Sequence, residues 1–374
     1  NNTGGPTISG ITTYSGRHFF VPPQGDTASR PSDCEPGSLR FNTDTAHLEY
    51  FRGNTIGWTE IEAELTAPLG GGTGSNAGLG VRAVISVGQR GSPSYNTDLD
   101  FITISTLGNA QDFGDAGVTR DKLGSGSDRT RGLFIGGEGT TDTIEFITFA
   151  STGNATDFGN IGHGSQMRFC AGCSSSTRTI FGGGYTGPAA YNILEYVTTQ
   201  STGNSVDYGD LLEQTNAPAA CSSSTRGVFA GGTTHNYSAN KNTIQFFTMS
   251  STGNTTDYGD LTQAKSKLSG ASNATRGLFF GGDAPSTVND IDFITIATTG
   301  NATDFGDLIT ARGRPCAAAS STRGITQGGT NPSGATNSIE FVEIATTGNA
   351  VDFGDGNGSA NSGAAACSNG HGGL

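Results

Sequence analysis

The sequence predicts an all-β protein whose larger part consists of six four-stranded units, and three observations support this prediction. A ten-residue phrase, STGNATDFGN at residues 151–160, is one of six similar copies that recur at a spacing of about 50 residues. A double glycine follows an apolar segment in most copies, as in TRGLFFGG at residues 275–282. The intervening segments alternate apolar and polar residues and show no helical period.

Each unit is predicted to contain four strands in a fixed order. The TRG segment is one strand, and a variable loop after the double glycine leads to an alternating strand such as residues 289–296. The Thr-Gly-Asn phrase is predicted to be a tight hairpin turn, because Gly and Asn tolerate positive φ. Asp-Phe-Gly-Asp then forms a short strand, and a small-residue strand such as residues 269–272 follows.

Four-stranded units at this period wrap radially into a ring that leaves only short edges, so residues 77–374 are predicted to form a six-bladed β-propeller. Residues 364–368 match the strand that normally precedes TRG, whereas the first TRG-like strand, at Arg82, lacks a well-formed predecessor. We therefore expect the C-terminal strand to complete the first blade. It would join the two ends of the repeat array, the name we give to residues 77–374.

Residues 1–67 do not repeat and are predicted to form a small β-rich module, which a glycine-rich linker at residues 68–76 joins to the array. Alternation predicts two strands at residues 38–41 and 47–51 and a third at residues 56–61, with a turn between the first two. Trp58 is expected to anchor this sheet. So small a sheet is marginal alone, which favours a partner surface or copies of itself.

The composition argues against several classes of function. Acidic residues outnumber Lys and Arg by 33 to 20, and the formal charge of −13 argues against binding to nucleic acid or to anionic membrane surfaces. No apolar run approaches the roughly 20 residues of a membrane span, and no signal peptide is visible. Five of the six cysteines recur among small residues and are expected to pack in the core; Cys170 and Cys173 could alternatively be a redox pair or half a zinc site, but no second ligand pair follows.

Arginines and aspartates recur in register through all six units. The arginines are Arg82, Arg131, Arg178, Arg226, Arg276 and Arg323, and the aspartates are Asp112, Asp157, Asp207, Asp257, Asp304 and Asp352. A ring of arginines around an acidic ligand is one interpretation. Repetition in every unit favours the other, in which each Arg pairs with an Asp or a carbonyl within or between blades. Hydrolase, metalloprotease and P-loop motifs are absent and the five histidines are scattered, so we expect no enzyme, metal site or cofactor.

The loops that follow the double glycines vary most between the units, and all of them would lie on one face of a propeller, where binding functions usually reside. These loops carry the candidate binding residues Tyr95, Tyr185, Tyr191, His235 and Tyr237. Aromatic rings in such loops suit stacking on sugar rings. The alternative is that they are ordinary surface side chains that cover the blade tips.

The array resembles the kelch repeat, in which a small-residue strand, an apolar strand ending in Gly-Gly, an alternating strand and a strand with an aromatic residue follow one another. The Gly pairs are Gly136-Gly137, Gly183-Gly184, Gly231-Gly232, Gly281-Gly282 and Gly328-Gly329, and the aromatic residues are Phe113, Phe158, Tyr208, Tyr258, Phe305 and Phe353. The first unit departs, with Val87-Gly88 in place of the Gly pair, and kelch repeats usually have Trp at the aromatic position. The resemblance covers residues 77–374 and implies the fold, not the function.

Residues 36–61, PGSLRFNTDTAHLEYFRGNTIGWTEI, look like a short module of tail fibres and other virion proteins of tailed phages. The matching positions are Gly37, Arg40, Phe41, Asn42, Thr43, Leu48, Glu49, Tyr50, Trp58 and Ile61. Together with the linker and the kelch-like array, they are similar to structural proteins of marine cyanobacterial phages. The resemblance implies attachment to other virion proteins through residues 1–76, often as a homotrimer.

These resemblances lead to an expected function. The protein is expected to be a virion protein, assembled in the host cytoplasm and exposed on the particle as a tail fibre or appendage, whose propeller recognises a host surface glycan or receptor. The alternative is a structural decoration without a ligand. A polysaccharide-degrading enzyme would need an asymmetric carboxylate pair in one cleft, which the sequence does not show.

Overall fold

The computed structural model describes residues 22–45, 47–61, 81–86, 88–90, 96–139, 142–164, 166–187, 189–358 and 360–374. They belong to two units, Asn1–Glu64 and Leu65–Leu374. Apart from one 3-10 helix at Thr27–Ser29, the regular secondary structure of the described residues is β-strand, so the all-β prediction is confirmed. In this part of the chain no helix is long and apolar enough to cross a membrane.

The first unit contains a four-stranded sheet. Its strands, in sheet order, are Gln24–Gly25, Leu39–Asn42, His47–Phe51 and Trp58–Ile61. The last three are antiparallel neighbours and confirm the predicted strands, although the third begins at Trp58, after the turn that ends at Gly57. The parallel strand at Gln24 was not predicted. Glu49 is buried under Arg30, whose Nη2 lies 2.7 Å from its Oε2.

The second unit contains six four-stranded antiparallel sheets, which we number 1 to 6 along the chain. From first to fourth strand they are: sheet 1, Ala365–Ser368, Arg82–Ser86, Asp98–Thr103 and Gln111–Asp115; sheet 2, Gly124–Ser127, Arg131–Ile135, Thr143–Thr148 and Thr156–Asn160; sheet 3, Ala171–Ser174, Arg178–Gly182, Ile193–Thr198 and Val206–Asp210; sheet 4, Ala219–Ser222, Arg226–Ala230, Thr243–Thr248 and Thr256–Asp260; sheet 5, Ser269–Ser272, Arg276–Phe280, Asp290–Thr295 and Thr303–Asp307; and sheet 6, Cys316–Ala319, Arg323–Gln327, Ser338–Glu343 and Val351–Asp355. Three two-stranded pairs lie in the connections: Tyr185–Thr186 with Ala189–Ala190, Thr330–Asn331 with Gly334–Ala335, and Gln89–Arg90 with Asn361–Ser362.

The C-terminal strand completes sheet 1, as the sequence predicted. Ala365–Ser368 pairs antiparallel with Arg82–Ser86, and Cys367 lies opposite Val84. The two ends of the array are therefore joined within one sheet by backbone hydrogen bonds rather than by a covalent link.

Hydrophobic clusters lie between successive sheets. Each of six clusters takes its buried side chains from two neighbouring sheets, and the cluster that contains Ile102 and Ile325 joins sheet 6 to sheet 1. Five cysteines are buried and all six are free thiols, which confirms that those five pack as small apolar side chains. Burial raises the pKa of Cys170 and Cys173 to about 12, so neither is an activated thiolate.

The repeated phrase connects each sheet to its neighbour. The turn after the third strand of sheet 2 lies at residues 148–151, before the Thr-Gly-Asn part of the repeated phrase. Gly153 then donates its N–H to the carbonyl of Phe113 in sheet 1, and the Asn154 side chain accepts the N–H of Asp115. The prediction that Thr-Gly-Asn is itself the tight turn is therefore wrong, because this segment follows the turn and hydrogen-bonds to the preceding sheet.

The recurring arginines also link neighbouring sheets. Each guanidinium donates to a backbone carbonyl of the following sheet: Arg82 to Phe149, Arg131 to Thr199, Arg178 to Ser250, Arg226 to Ile296 and Ala297, Arg276 to Ile344 and Ala345, and Arg323 to Ile104 and Ser105. Each also stacks on an aromatic ring of its own third strand, as Arg276 does on Phe293 at 5.0 Å. The structural interpretation of these arginines is confirmed, because each of them bonds to carbonyls of the neighbouring sheet.

We expect Arg276→Ala to lower the free energy of unfolding by about 1–3 kcal/mol, because it removes two charge-assisted hydrogen bonds and one cation–π contact. Thermal unfolding followed by circular dichroism measures the change. Arg129→Ala is the matched control, since the Arg129 side chain makes no hydrogen bond or ion pair with the described residues. Equal melting temperatures for the two variants would contradict the prediction.

A β-bulge aims one polar side chain of each third strand at the loop that precedes the first strand. The bulge lies at the same place in all six sheets, as between Ile339 and Glu340. Glu340 accepts the backbone N–H of Ile309 at 2.9 Å and pairs with the Arg312 guanidinium. Sheets 2 and 5 have the equivalent buried pairs Arg120–Glu145 and Lys265–Asp292.

Candidate binding face

The first strands of all six sheets line one cavity of about 140 Å³. Its two ends differ. At one end, the C-terminal residues lie across the strands: His371 Nε2 is 2.9 Å from the carbonyl oxygen of Ser127, and the Gly372 N–H donates to Ser272. The other end leads to a smaller cavity of about 70 Å³, lined by the residues that precede the first strands.

Six residues at equivalent positions surround this second cavity, and we call them the mouth ring: Lys122, Phe169, Ala217, Lys267, Arg314 and Gly363. Backbone hydrogen bonds link five of the six neighbouring pairs in the ring. The N–H of Phe169 donates to Lys122, Lys122 to Gly363, Gly363 to Arg314, Arg314 to Lys267, and Lys267 to Ala217. The ring therefore takes one residue from the segment before each of the six sheets and brings these residues to the same place.

Every mouth-ring residue has left-handed backbone geometry, with φ between +52° and +67°. This conformation is unstrained only for glycine, yet five of the six residues carry a side chain. Gly363 shows that glycine fits the position. The strain held at Lys122, Phe169, Lys267 and Arg314 is therefore more than the backbone needs, and it indicates that these side chains serve another purpose.

An aromatic cluster lies beside the mouth ring and consists of Phe169, Tyr185, His235 and Tyr237. Phe169 and Tyr185 are stacked, with ring centroids 6.3 Å apart and 19° between the planes. Tyr185 also lies 6.4 Å from Tyr237 and 6.0 Å from His235. Tyr237 is 41% exposed, so the cluster offers an aromatic surface to solvent.

Cations flank these rings. The Lys122 ammonium and the Arg314 guanidinium each lie 5.4 Å from the centre of the Phe169 ring. Arg168 lies over Tyr185 at 5.7 Å and Lys267 over Tyr237 at 5.0 Å. The face is therefore aromatic and locally rich in positive charge on a chain whose formal charge is −13.

Acidic side chains behind the cations balance part of this charge. Lys122 pairs with Glu138, which also contacts Arg168 at 3.2 Å, and Lys267 pairs with Asp283 at 2.7 Å. Asp121 is buried and its Oδ1 has no hydrogen-bond partner. Burial raises its pKa to about 6, against the opposing effect of Lys122.

The structure brings together three of the five predicted binding residues, Tyr185, His235 and Tyr237. Tyr191 lies apart from them: its hydroxyl is 2.8 Å from Thr186 Oγ1 and its ring packs against His163. Tyr95 lies outside the described residues. Tyr185, Tyr191, His235 and Tyr237 lie at the end of the sheets where the second strand ends and the third begins, the same end as the mouth ring.

Phe169 and the three mouth-ring cations were not predicted from the sequence. Their positions precede the small-residue strands, where they look like ordinary loop residues. The available signal was their fixed offset in the aligned repeats, which gives Lys, Phe, Ala, Lys, Arg and Gly. Three basic residues at one offset stand out in a chain with few of them.

Among the described residues, no group of three or more His, Cys, Asp or Glu side chains is arranged to hold a metal ion. No protein-family model matches the chain, and no curated protein matches it.

Proposed function

We propose that the six sheets are the blades of a kelch-like six-bladed β-propeller. Six hydrophobic clusters join successive sheets and return from sheet 6 to sheet 1. The arginine hydrogen bonds follow the same cyclic order, because Arg323 donates to the carbonyls of Ile104 and Ser105. The mouth ring, with one residue per sheet, supports the same arrangement, since its members surround one cavity.

The propeller is a binding module, and its binding face is the end that carries the mouth ring. The observation that carries this proposal is the aromatic cluster beside the ring, where Tyr185 contacts Phe169, His235 and Tyr237. Side chains from separate loops converge there, and partly exposed aromatic rings flanked by cations suit stacking on a sugar together with polar contacts to it. The ligand class that fits best is a surface glycan.

The place of action is a phage particle. This part of the proposal rests on the similarity of residues 36–61 to modules of tailed-phage virion proteins. In it, the first unit attaches the protein to other virion proteins, as a homotrimer, and the propeller of a tail fibre or surface appendage meets the host.

We expect the full chain, carrying a fluorescent label, to bind saturably to intact cells of a candidate cyanobacterial host. Changing Tyr185 and Tyr237 together to Ala should weaken that binding at least tenfold, about 1.4 kcal/mol, because one half-buried and one exposed ring of the cluster are lost. Flow cytometry across a concentration series measures the apparent dissociation constant.

The matched control is Leu107→Ala, which removes an exposed apolar side chain from the connection between a third and a fourth strand, at the opposite end of the sheets. It should bind like the unaltered chain. Periodate treatment of the cells should abolish binding, and protease treatment should not; the reverse would identify a protein receptor. Absence of binding to every host tested would contradict the proposal and favour a structural decoration.

A further inference from the structure

One cation of the mouth ring forms no ion pair with the described residues. Lys122 and Lys267 are paired with Glu138 and Asp283. The Arg314 side chain, by contrast, makes no ion pair and no hydrogen bond with the part of the chain that the structure describes. Its nearest defined contact is the face of the Phe169 ring.

The position of Arg314 leaves its donors available. Arg314 precedes sheet 6 and Phe169 precedes sheet 3, which is three sheets away in the cyclic order. The Arg314 guanidinium therefore extends across the mouth ring to the Phe169 ring. A guanidinium that stacks on an aromatic face keeps its N–H groups directed outward along its edges. Those edges match the two oxygens of a carboxylate or a sulfate, which accept two parallel hydrogen bonds.

The backbone of Arg314 is held at a φ of +58°. Glycine occupies the equivalent position in sheet 1, so the closure of the ring does not require a side chain here. Arginine at a left-handed position, half-buried and without an ion pair, is a strained group whose charge acts only at longer range on a carboxylate, that of Asp121. Such groups concentrate at ligand sites.

We propose that the mouth ring binds an anionic group of a saccharide, a carboxylate or a sulfate ester, at the Arg314 guanidinium, with the sugar ring against Phe169 and Tyr185. The proposal rests on the proposed function and names its ligand chemistry. The paired lysines lend positive potential but are already neutralised locally, which makes Arg314 the residue that selects the charge. A neutral glycan would leave this guanidinium desolvated and unpaired.

The test uses the full chain in the cell-binding assay. Arg314→Met should weaken binding at least tenfold, and Arg314→Lys should weaken it less, because Lys keeps the charge and loses the bidentate geometry. Trigalacturonate or dextran sulfate should compete with the cells. The neutral counterparts, methyl-esterified trigalacturonate and dextran, should not compete when NaCl equalises the ionic strength.

Two further variants serve as controls for folding and for the general loss of a positive charge. Arg314→Gly takes the residue found at the equivalent position before sheet 1, so its melting temperature should not fall, yet it should still lose binding. Arg129→Met, in the turn between the first and second strands at the opposite end of sheet 2, should bind normally. Cell binding that is lost in the double Tyr variant but kept in Arg314→Met, or that neither anionic probe displaces, would overturn this inference and leave the proposed function standing. Absence of any cell binding would overturn both.

Discussion

We expect Gly259→Ala to lower the free energy of unfolding of the second unit by about 3–5 kcal/mol. Gly259 lies in the Asp-Tyr-Gly-Asp segment of sheet 4 at a φ of +146°, and a Cβ there would lie 2.5 Å from the carbonyl carbon and oxygen of Gly300. Both the backbone geometry and the overlap with a neighbouring backbone oppose a side chain, and neither backbone can move without breaking bonds between the sheets. Guanidinium unfolding followed by tyrosine fluorescence and circular dichroism measures the loss.

Gly300→Ala is the matched control for that prediction. Gly300 has nearly the same φ, +151°, but a Cβ there would meet no heavy atom within 4 Å. It should therefore show the backbone strain alone, about 1–3 kcal/mol. If both variants lost equal stability, the close contact between Gly259 and Gly300 would not be the reason why glycine is needed in the repeated phrase.

The repeated phrase allowed the fold class, the strand order and the closure of sheet 1 to be predicted, because each depends on patterns that recur in register. Its detailed role could not be predicted. The Gly of Thr-Gly-Asn faces the Gly of Asp-Phe-Gly in the preceding sheet, as Gly153 faces Gly114. A sequence shows two glycines about 40 residues apart, and nothing local says that they meet.

The recurring arginines were interpreted correctly for a physical reason. A residue that recurs in all six sheets has an equivalent environment in each of them, so its role is one that every sheet needs. Here that role is bonding to the carbonyls of the next sheet, as Arg82 bonds to Phe149. Candidate ligand residues are expected to differ between the sheets instead. Tyr185, His235 and Tyr237 were selected from the variable loops for that reason.

The mouth ring escaped prediction because its usual sequence signal is missing. Left-handed positions are normally marked by Gly or Asn, but Gly363 is the only such residue among the six. Burial of Lys265 and Arg312 was equally hidden, since both stand in polar loop segments. The bulge that turns Asp292 and Glu340 toward those loops leaves no mark in a pattern of alternating residues.

The Arg312–Glu340 pair provides the second large expected effect. Arg312 is fully buried, and besides Glu340 it donates to the carbonyls of Gly328 and Ser338. Breaking a buried ion pair from one side leaves a charge without its partner, which costs about 3–5 kcal/mol, whereas replacing both partners removes that penalty. The array itself offers the replacements, because Met167 stands at the position of Arg312 in sheet 3 and Gln245 at that of Glu340 in sheet 4.

We expect Arg312→Met and Glu340→Gln each to lose about 3 kcal/mol of unfolding free energy, and the double variant to recover most of it. Burial already raises the pKa of Glu340, and loss of the Arg312 charge should raise it further. The folded Arg312→Met chain should then hold a proton that the unfolded chain releases near pH 4.3, so its stability should fall as the pH rises above that value. A double-mutant cycle at pH 5 and pH 8 measures the coupling between the two residues. Additive losses, or an Arg312→Met penalty that does not grow between the two pH values, would show that the pair is not coupled and that Arg312 contributes through its carbonyl contacts alone.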